Sequence, residues 1–409
     1  MEKEKSFMVA IPEKTDDLKS IEKLMNRLKE NKSIEVVSME FEEDLVLKLK
    51  LGDNVYDVNM FPYEIHIPEM FRIQHKFTDS NIELIQNSAI GLAVEMMFGD
   101  DALISYHDQL KIIHTLLPDI AAVVDASSEK LLSGMWVSLA AKSSVPPAPR
   151  YLYTVQAVSA DDDCVWLHTH GLNRCGLTEL EILNSTKDTY NIHYNVIETM
   201  ASRMLELEEE LEEYEPFYIA MVAEGIPLFT TLVDWEEAVD QYDDDMLGGL
   251  NDRQDSHNEN TSAIFCYLSP DDIDNKEYSE IQEYDDLLGE NPLYMLSNEE
   301  TDRMRRLARE RIDYMVKMAD DDDAEILVKI GLKTDEEYED IDTEYEHIWF
   351  ELIEVRDNSV IGELTQEPYY VNNLKPGDVR EYSFDNITDW IIFTKEGRIT
   401  PDDVYLLEL

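Results

Sequence analysis

His347-Ile348-Trp349-Phe350-Glu351-Leu352-Ile353-Glu354-Val355 has the composition of a strand, dense in the aromatic and β-branched residues that fill a pleated surface. Arg356-Asp357-Asn358 turns the chain, and Val360-Ile361-Gly362-Glu363-Leu364 returns it. Lys375-Pro376-Gly377-Asp378 has Pro and Gly at the two central positions of a type II turn, where Gly supplies the positive φ. Glu381 to Phe384 and Ile387 to Phe393 follow as further strands, so this stretch forms one small β module. Gly362 inside a strand marks a bulge or a close backbone approach, and Trp349 and Trp390 are expected in the core. The module carries turn and packing chemistry and no catalytic group.

Upstream, Ser297 and Glu300 form a capping-box pattern for a helix with Met304, Leu307, Ala308, Ile312 and Met315 on its apolar face. Arg303, Arg305, Arg306, Arg309 and Arg311 lie on it, the one basic cluster in the chain. Glu299, Glu300, Asp302, Glu310 and Asp313 accompany them, so pairs such as Asp302 with Arg306 are available. In so acidic a chain these arginines are expected to neutralise neighbouring domains rather than bind phosphate. Residues 234–290 hold 19 acidic residues against Arg253 and Lys276. Within them Leu247 to Thr261 has few apolar anchors and reads as a mobile loop or linker. A long helix is expected over Val196 to Tyr214, its Glu-rich end from Glu206 to Glu213 facing solvent.

The N-terminal half alternates strand and helix patterns. Phe7 to Ile11 is a strand, and Thr15 or Asp16 is positioned to cap a helix bearing Leu18, Ile21, Leu24, Met25 and Leu28. Strands at Ile34 to Phe41, Leu45 to Leu51 and Val55 to Phe61 follow, the last two joined by Gly52-Asp53-Asn54. Helical stripes are expected over 80–117 and 131–141, with a strand at Ala121 to Val124. Tyr151 to Val158, Cys164 to His170 and Leu177 to Leu183 are strands. The fold class is α+β. An N-terminal α+β domain (1–78) and a middle one (79–233) precede an acidic, partly flexible connection (234–296). A helix plus a small antiparallel, barrel-like β module (297–409) completes the chain.

The formal net charge of -56 disfavours nucleic acid and anionic membranes as partners and favours a basic protein. Three cysteines make no disulfide framework, and the N-terminus has neither a signal-peptide core nor a membrane span, so a cytoplasmic location is expected. One stretch carries metal-type chemistry. Cys164, His168 and His170 share one face of a strand, and Cys175 could return across the next turn to complete a Cys2His2 zinc set. Glu179 and Glu181 stand nearby. Asp243, Asp245 and Gly248 match three EF-hand positions, but Leu247 and Gln254 occupy positions that need oxygen ligands, which excludes that motif. No phosphate-cradling loop, nucleophile elbow or nucleophilic Cys signature is present, and no further cofactor is implied. Two functions remain open: a non-enzymatic protein-binding protein with an acidic surface, or a metal-dependent hydrolase using His168 and His170.

The aromatic strand from His347, Ile361-Gly362-Glu363-Leu364, Leu374-Lys375-Pro376-Gly377-Asp378 and the closing Asp389-Trp390 resemble a small β module found in uncharacterised bacterial families. Leu167 to Leu172 with Gly176 to Glu181 is similar to a second family of that kind. The arrangement looks like a Firmicute-type multidomain protein of unknown function. Relatives of the C-terminal module occur among suspected immunity partners of secreted toxins, which implies an immunity-like binding role and no catalytic residue.

Overall fold

The computed structural model describes all residues except 1–2, 42–43, 74, 78, 161–162, 208–210, 224, 245, 254–259, 291–297, 322, 339–343 and 408–409. The chain forms two units. The first comprises Met1–Lys142 with Pro149–Met295; the second comprises Ser143–Ala148 with Leu296–Leu409.

The first unit holds two sheets. Strands β1 (Ser6–Pro12), β2 (Ile34–Phe41), β3 (Leu45–Leu51), β4 (Asn54–Glu64), β5 (Ile90–Met96), β6 (Ile120–Asp125) and β7 (Lys130–Ser133) order as β2-β3-β4-β5-β1-β6-β7. Helices α1 (Ile21–Glu30), α2 (Asp79–Asn87), α3 (Ala102–Leu116) and α4 (Gly134–Lys142) belong to this part of the chain. Leu45, Leu47, Leu49 and Leu51 alternate inward along β3, the period expected of a half-buried strand. The expected boundary at residue 78 falls inside this sheet, because β5, β6 and β7 complete it. The helical stripe expected over residues 80–96 divides: α2 stops at Asn87, while Ala93 and Met96 lie on β5. A strand with neighbours on both faces carries apolar residues at successive positions, so its spacing also satisfies a helical stripe. For the same reason the helix expected from Leu131 begins only at Gly134, after β7. The cap of α1 is Ser20, whose side chain accepts the Lys23 N–H; Thr15 and Asp16 lie in a preceding 3-10 turn.

The second sheet orders β11-β12-β13-β10-β9-β8, built from β8 (Thr154–Ser159), β9 (Cys164–His170), β10 (Glu179–Thr186), β11 (Phe217–Ala223), β12 (Ile226–Asp234) and β13 (Thr261–Tyr267). A short β14 (Ser279–Glu280) pairs with β13. Helices α5 (Tyr190–Met204), α6 (Trp235–Val239), α7 (Pro270–Asn275) and α8 (Asp285–Glu290) complete this part. The acidic segment is therefore no simple connection: β13 is buried along its whole length and lies between β10 and β12, parallel to the former. Helix α5 ends at Met204, ten residues short of the expected Tyr214. Glu206, just past this end, opposes the negative pole of the helix dipole, and residues 208–210 lie outside the described set.

The second unit carries α9 (Asn298–Glu310), α10 (Ile312–Met318), β15 (Glu325–Lys333), β16 (Tyr345–Arg356), β17 (Ser359–Leu364), β18 (Val379–Ser383), β19 (Ile387–Thr394) and β20 (Gly397–Ile399). Its sheet orders β18-β17-β16-β15-β19-β20. It is an open sheet, not the barrel-like module expected, since β18 and β20 form opposite edges among the described residues. Trp390 is buried and its indole donates to Ala308 O at 2.9 Å, fixing α9 to β19. Trp349, also expected in the core, is half-buried with Lys329 Nζ 5.3 Å from its ring centre, because it alternates with the inward Ile348 and Phe350. Gly377 has φ +88 and its turn closes with Asp378 N donating to Lys375 O, as its type II pattern requires. A Cβ on Gly362 would meet Phe350 Cβ at 2.9 Å, so this glycine marks a close approach. Ser297 of the expected capping box lies outside the described residues.

Candidate functional site

Alternation along β9 sets Cys164, Trp166, His168 and His170 on one face of the second sheet. The His168 ring lies 4.1 Å from the Trp166 ring and 4.9 Å from that of His170, the latter edge-on. Across the sheet His168 stands in register with Gln156 on β8 and Glu181 on β10. Glu181 accepts the Trp166 indole N–H at 2.8 Å and both of its oxygens accept from Arg253 Nη2 at 2.7 Å. Arg253 lies between the rings of Trp235 and Trp166, 4.7 and 5.4 Å from their centres. Burial pushes the Glu181 carboxyl above the ordinary carboxylate range, while the Arg253 guanidinium and then the Trp166 indole oppose that rise.

The segment bearing Arg253 had read as a mobile linker. Leu247 to Arg253 instead lie against β9, residues 254–259 are outside the described set, and Thr261 already begins β13. Gly248 makes the contact possible: its φ is +82, and a Cβ there would come within 2.7 Å of the Trp166 ring. Arg253 then donates back to Gly248 O at 3.0 Å.

Of the four expected metal ligands, the structure brings His168 and His170 together. Cys164 is four residues from His168 along an extended strand, about 13 Å, whereas shared zinc ligands need contact distances near 2.0 to 2.3 Å. Cys175 lies beyond the turn, where its Sγ is 3.7 Å from Gly171 O and burial pushes its thiol up to about 12. Glu179 is committed to the turn itself: it accepts from Thr169 Oγ1 at 2.6 Å, Gly171 N at 2.7 Å and Asn173 N at 3.1 Å. His170 Nε2 is 3.9 Å from Glu129, whose carboxylate also accepts from Gln156 at 2.5 Å. Among the described residues no group of three or more His, Cys, Asp or Glu side chains is placed to hold a metal ion.

A second charged cluster, unread from the sequence, lies deeper in the same unit. Arg174 donates to both oxygens of Asp125 at 2.7 and 2.9 Å, to Ser6 Oγ at 3.1 Å and to Leu152 O at 2.5 Å. Both side chains have 0% exposure. The Tyr106 and Phe98 rings flank the guanidinium at 5.1 and 5.6 Å. Lys130 nearby donates to Arg150 O and Tyr153 O, and burial draws its ammonium down to about 7. Ser6, Asp125 and Lys130 come from the first sheet; Arg174 follows β9. These groups join the two sheets of this unit. An asparagine–arginine–cysteine turn gives no sequence signal for such a role.

Comparison with known families follows the same division. Residues 6–147 match the family described as Protein of unknown function (DUF4026) N-terminal, and 155–265 match its C-terminal counterpart. Residues 304–400 match Uncharacterized protein conserved in bacteria (DUF2314). The chain is a multidomain bacterial protein built from domains of unknown function. No curated protein and no solved structure gave a match.

The two DUF4026 matches thus correspond to the two sheets that Arg174 joins. Within the second match, His193 Nδ1 meets Ser185 Oγ at 2.7 Å, and its Nε2 meets Asp285 Oδ1, beyond that match, at 2.7 Å. The order resembles a hydrolytic triad, but Ser185 has no exposed surface, whereas a nucleophilic serine must reach its substrate. The relay fastens α5 and α8 to β10, and burial lowers His193 against the opposing pull of Asp285. In the C-terminal module the arginines of α9 and of the step into α10 are also committed. Arg303 is paired with Glu300 and Asp402, Arg309 donates to Ile387 O and Asp385 O, and Arg311 donates to Pro401 O. Asp302 pairs with Arg305, one residue short of the expected Arg306.

Proposed function

We propose that this chain is a non-enzymatic protein-binding protein that presents carboxylates to a basic partner, as an immunity-like role would require. The observation that carries this reading is the fate of the two cations in the acidic segment. Arg253 is turned inside against Glu181, its side chain 2% exposed, and Lys276 is engaged over the Tyr214 ring at 5.5 Å. Glu236, Asp240, Asp243, Asp244, Asp271, Asp274, Glu277, Asp286 and Glu290 remain exposed around them. The chemistry of the interior agrees with that reading. Burial pushes the Cys175 and Cys266 thiols up to about 12, far from the depressed values of nucleophilic cysteines, and the buried carboxylates Asp125 and Glu181 are already paired. No described helix is long and apolar enough to cross a membrane.

A lysine-rich peptide and an uncharged peptide of equal length, presented to the full chain by biolayer interferometry, test the proposal. Binding of the cationic peptide should weaken several-fold on Asp271→Asn/Asp274→Asn/Glu277→Gln, and disappear at about 1 M salt, where the Debye length is about 3 Å. Equal weakening by Glu35→Gln/Asp53→Asn/Glu69→Gln would reduce the interaction to bulk charge and sink the proposal. The hydrolase reading keeps one favourable observation, the adjacent His168 and His170 rings. Elemental analysis decides it: about one zinc per chain, lost in His168→Ala/His170→Ala, would establish the metal site.

A further inference from the structure

The second unit contains a short piece of chain from far upstream. Residues 143–148, Ser-Ser-Val-Pro-Pro-Ala, leave the first unit after Lys142, belong by their contacts to the C-terminal module, and return at Pro149. Helix α9 addresses every polar group of Ser144. Glu310 accepts the Ser144 N–H at 2.9 Å and its hydroxyl at 2.5 Å, while Arg306, one turn earlier, donates to the Ser144 carbonyl at 3.4 Å. Residues four apart share a helix face, so Arg306 and Glu310 form a clamp with one donor and one acceptor end. Burial would raise the Glu310 carboxyl, but hydrogen bonds from Ser143 and Ser144 outweigh it and hold the group below its ordinary range. Val145, Pro147 and Ala148 are buried, and Ser143 Oγ accepts the Val145 N–H at 3.0 Å. Prolines keep the peptide extended at low entropic cost, the economy used by domains that bind proline-rich ligands.

We propose that the C-terminal module is a peptide-docking module, that residues 143–148 are its internal ligand, and that Arg306 and Glu310 read the backbone of an extended segment with a small hydroxyl residue ahead of a Pro-Pro pair. The internal copy is held at high effective concentration, so a partner bearing such a segment gains the site only when the internal copy leaves it. This goes beyond the acidic-surface reading and stands if that reading fails, because the clamp lies outside the acidic segment.

The test uses the full chain with residues 143–148 replaced by a Gly-Ser stretch of equal length and a fluorescein-labelled peptide of residues 141–150. Fluorescence anisotropy should show saturable binding, weakened at least about tenfold by a further Glu310→Ala, while the unmodified chain binds at least about tenfold more weakly. No binding by a folded replaced chain, or binding indifferent to Glu310→Ala, overturns the proposal. Hydrogen exchange on the otherwise unmodified chain gives a second readout should the replaced chain not fold. Glu310→Ala should speed exchange of the Ser144 amide about tenfold or more, and an unchanged rate overturns the assignment.

Discussion

Arg174 in the first unit and Arg303 in the second are both buried arginines held by carboxylates, and they differ in how far the carboxylates stand from water. Asp125 has no side-chain exposure, whereas Glu300 and Asp402 each keep 14%. Arg174 also satisfies Ser6 and Leu152 and sits between two aromatic rings, so its removal strands several groups at once. Arg303 joins α9 to the 3-10 turn at Pro401–Leu406, and its carboxylates can rehydrate. In a chain with 34 basic residues against 90 acidic ones, cations at these places act as cross-links, and the depth of the anion sets the cost of losing one.

Four substitutions can break or sharpen that contrast, read by hydrogen exchange in each unit because a chain of two units need not unfold in one step. The largest effect is expected from Arg174→Met, which leaves Asp125 charged and unpaired inside: about 3 to 5 kcal/mol of protection lost in β1 and β6, part of it restored by adding Asp125→Leu. Arg303→Met should cost about 2 kcal/mol around α9. A loss equal to that of Arg174→Met would end the argument from depth. Gly248→Ala, which forces a side chain into a positive φ and into Trp166, should cost about 1 to 2 kcal/mol and shift the tryptophan emission. An unchanged spectrum would mean the 247–253 segment does not rest on Trp166.

Asp389→Asn tests the converse, a buried acid whose charge burial disfavours. Burial raises its carboxyl to about 6, so the folded state holds the proton more tightly than the unfolded chain does. Stability from this group is therefore full below about pH 4 and declines as pH rises through about 6. The asparagine keeps an oxygen to accept the Trp390 N–H, which Asp389 accepts at 2.8 Å. It should stabilise the module by about 1 kcal/mol at pH 7 and have little effect at pH 4. A pH-independent effect would place the shift elsewhere.

The sequence made the strands of the C-terminal module legible because each is bounded by a turn with its own residue code, as at Lys375 to Asp378. It misread residues 80–96 because a strand buried on both faces carries no alternation, and it misread the α5 terminus because a Leu-spaced stripe continues past Glu206, whose charge opposes the helix dipole. The His168 and His170 pair was visible from a two-residue spacing, since strand geometry is local. Arg253 had a signal, one of two cations among 19 carboxylates in residues 234–290. Its partner Glu181 lies 72 positions away, and no local pattern connects them. Closure to a barrel failed as an expectation because edge pairing is a long-range property that strand composition does not encode.

The Ser144–Glu310 clamp joins residues 166 positions apart, which gives it a place in time as well as in space. At a synthesis rate of about 5 to 20 residues per second, the Ser-Ser-Val-Pro-Pro-Ala stretch emerges from the ribosome roughly 10 to 30 s before the helix that receives it. The N-terminal sheet, complete once residue 133 has emerged, has that interval in which to fold, with the proline-rich stretch still undocked. Until that helix emerges the stretch has neither Glu310 nor Arg306 to hold it, so the N-terminal sheet folds before the clamp exists.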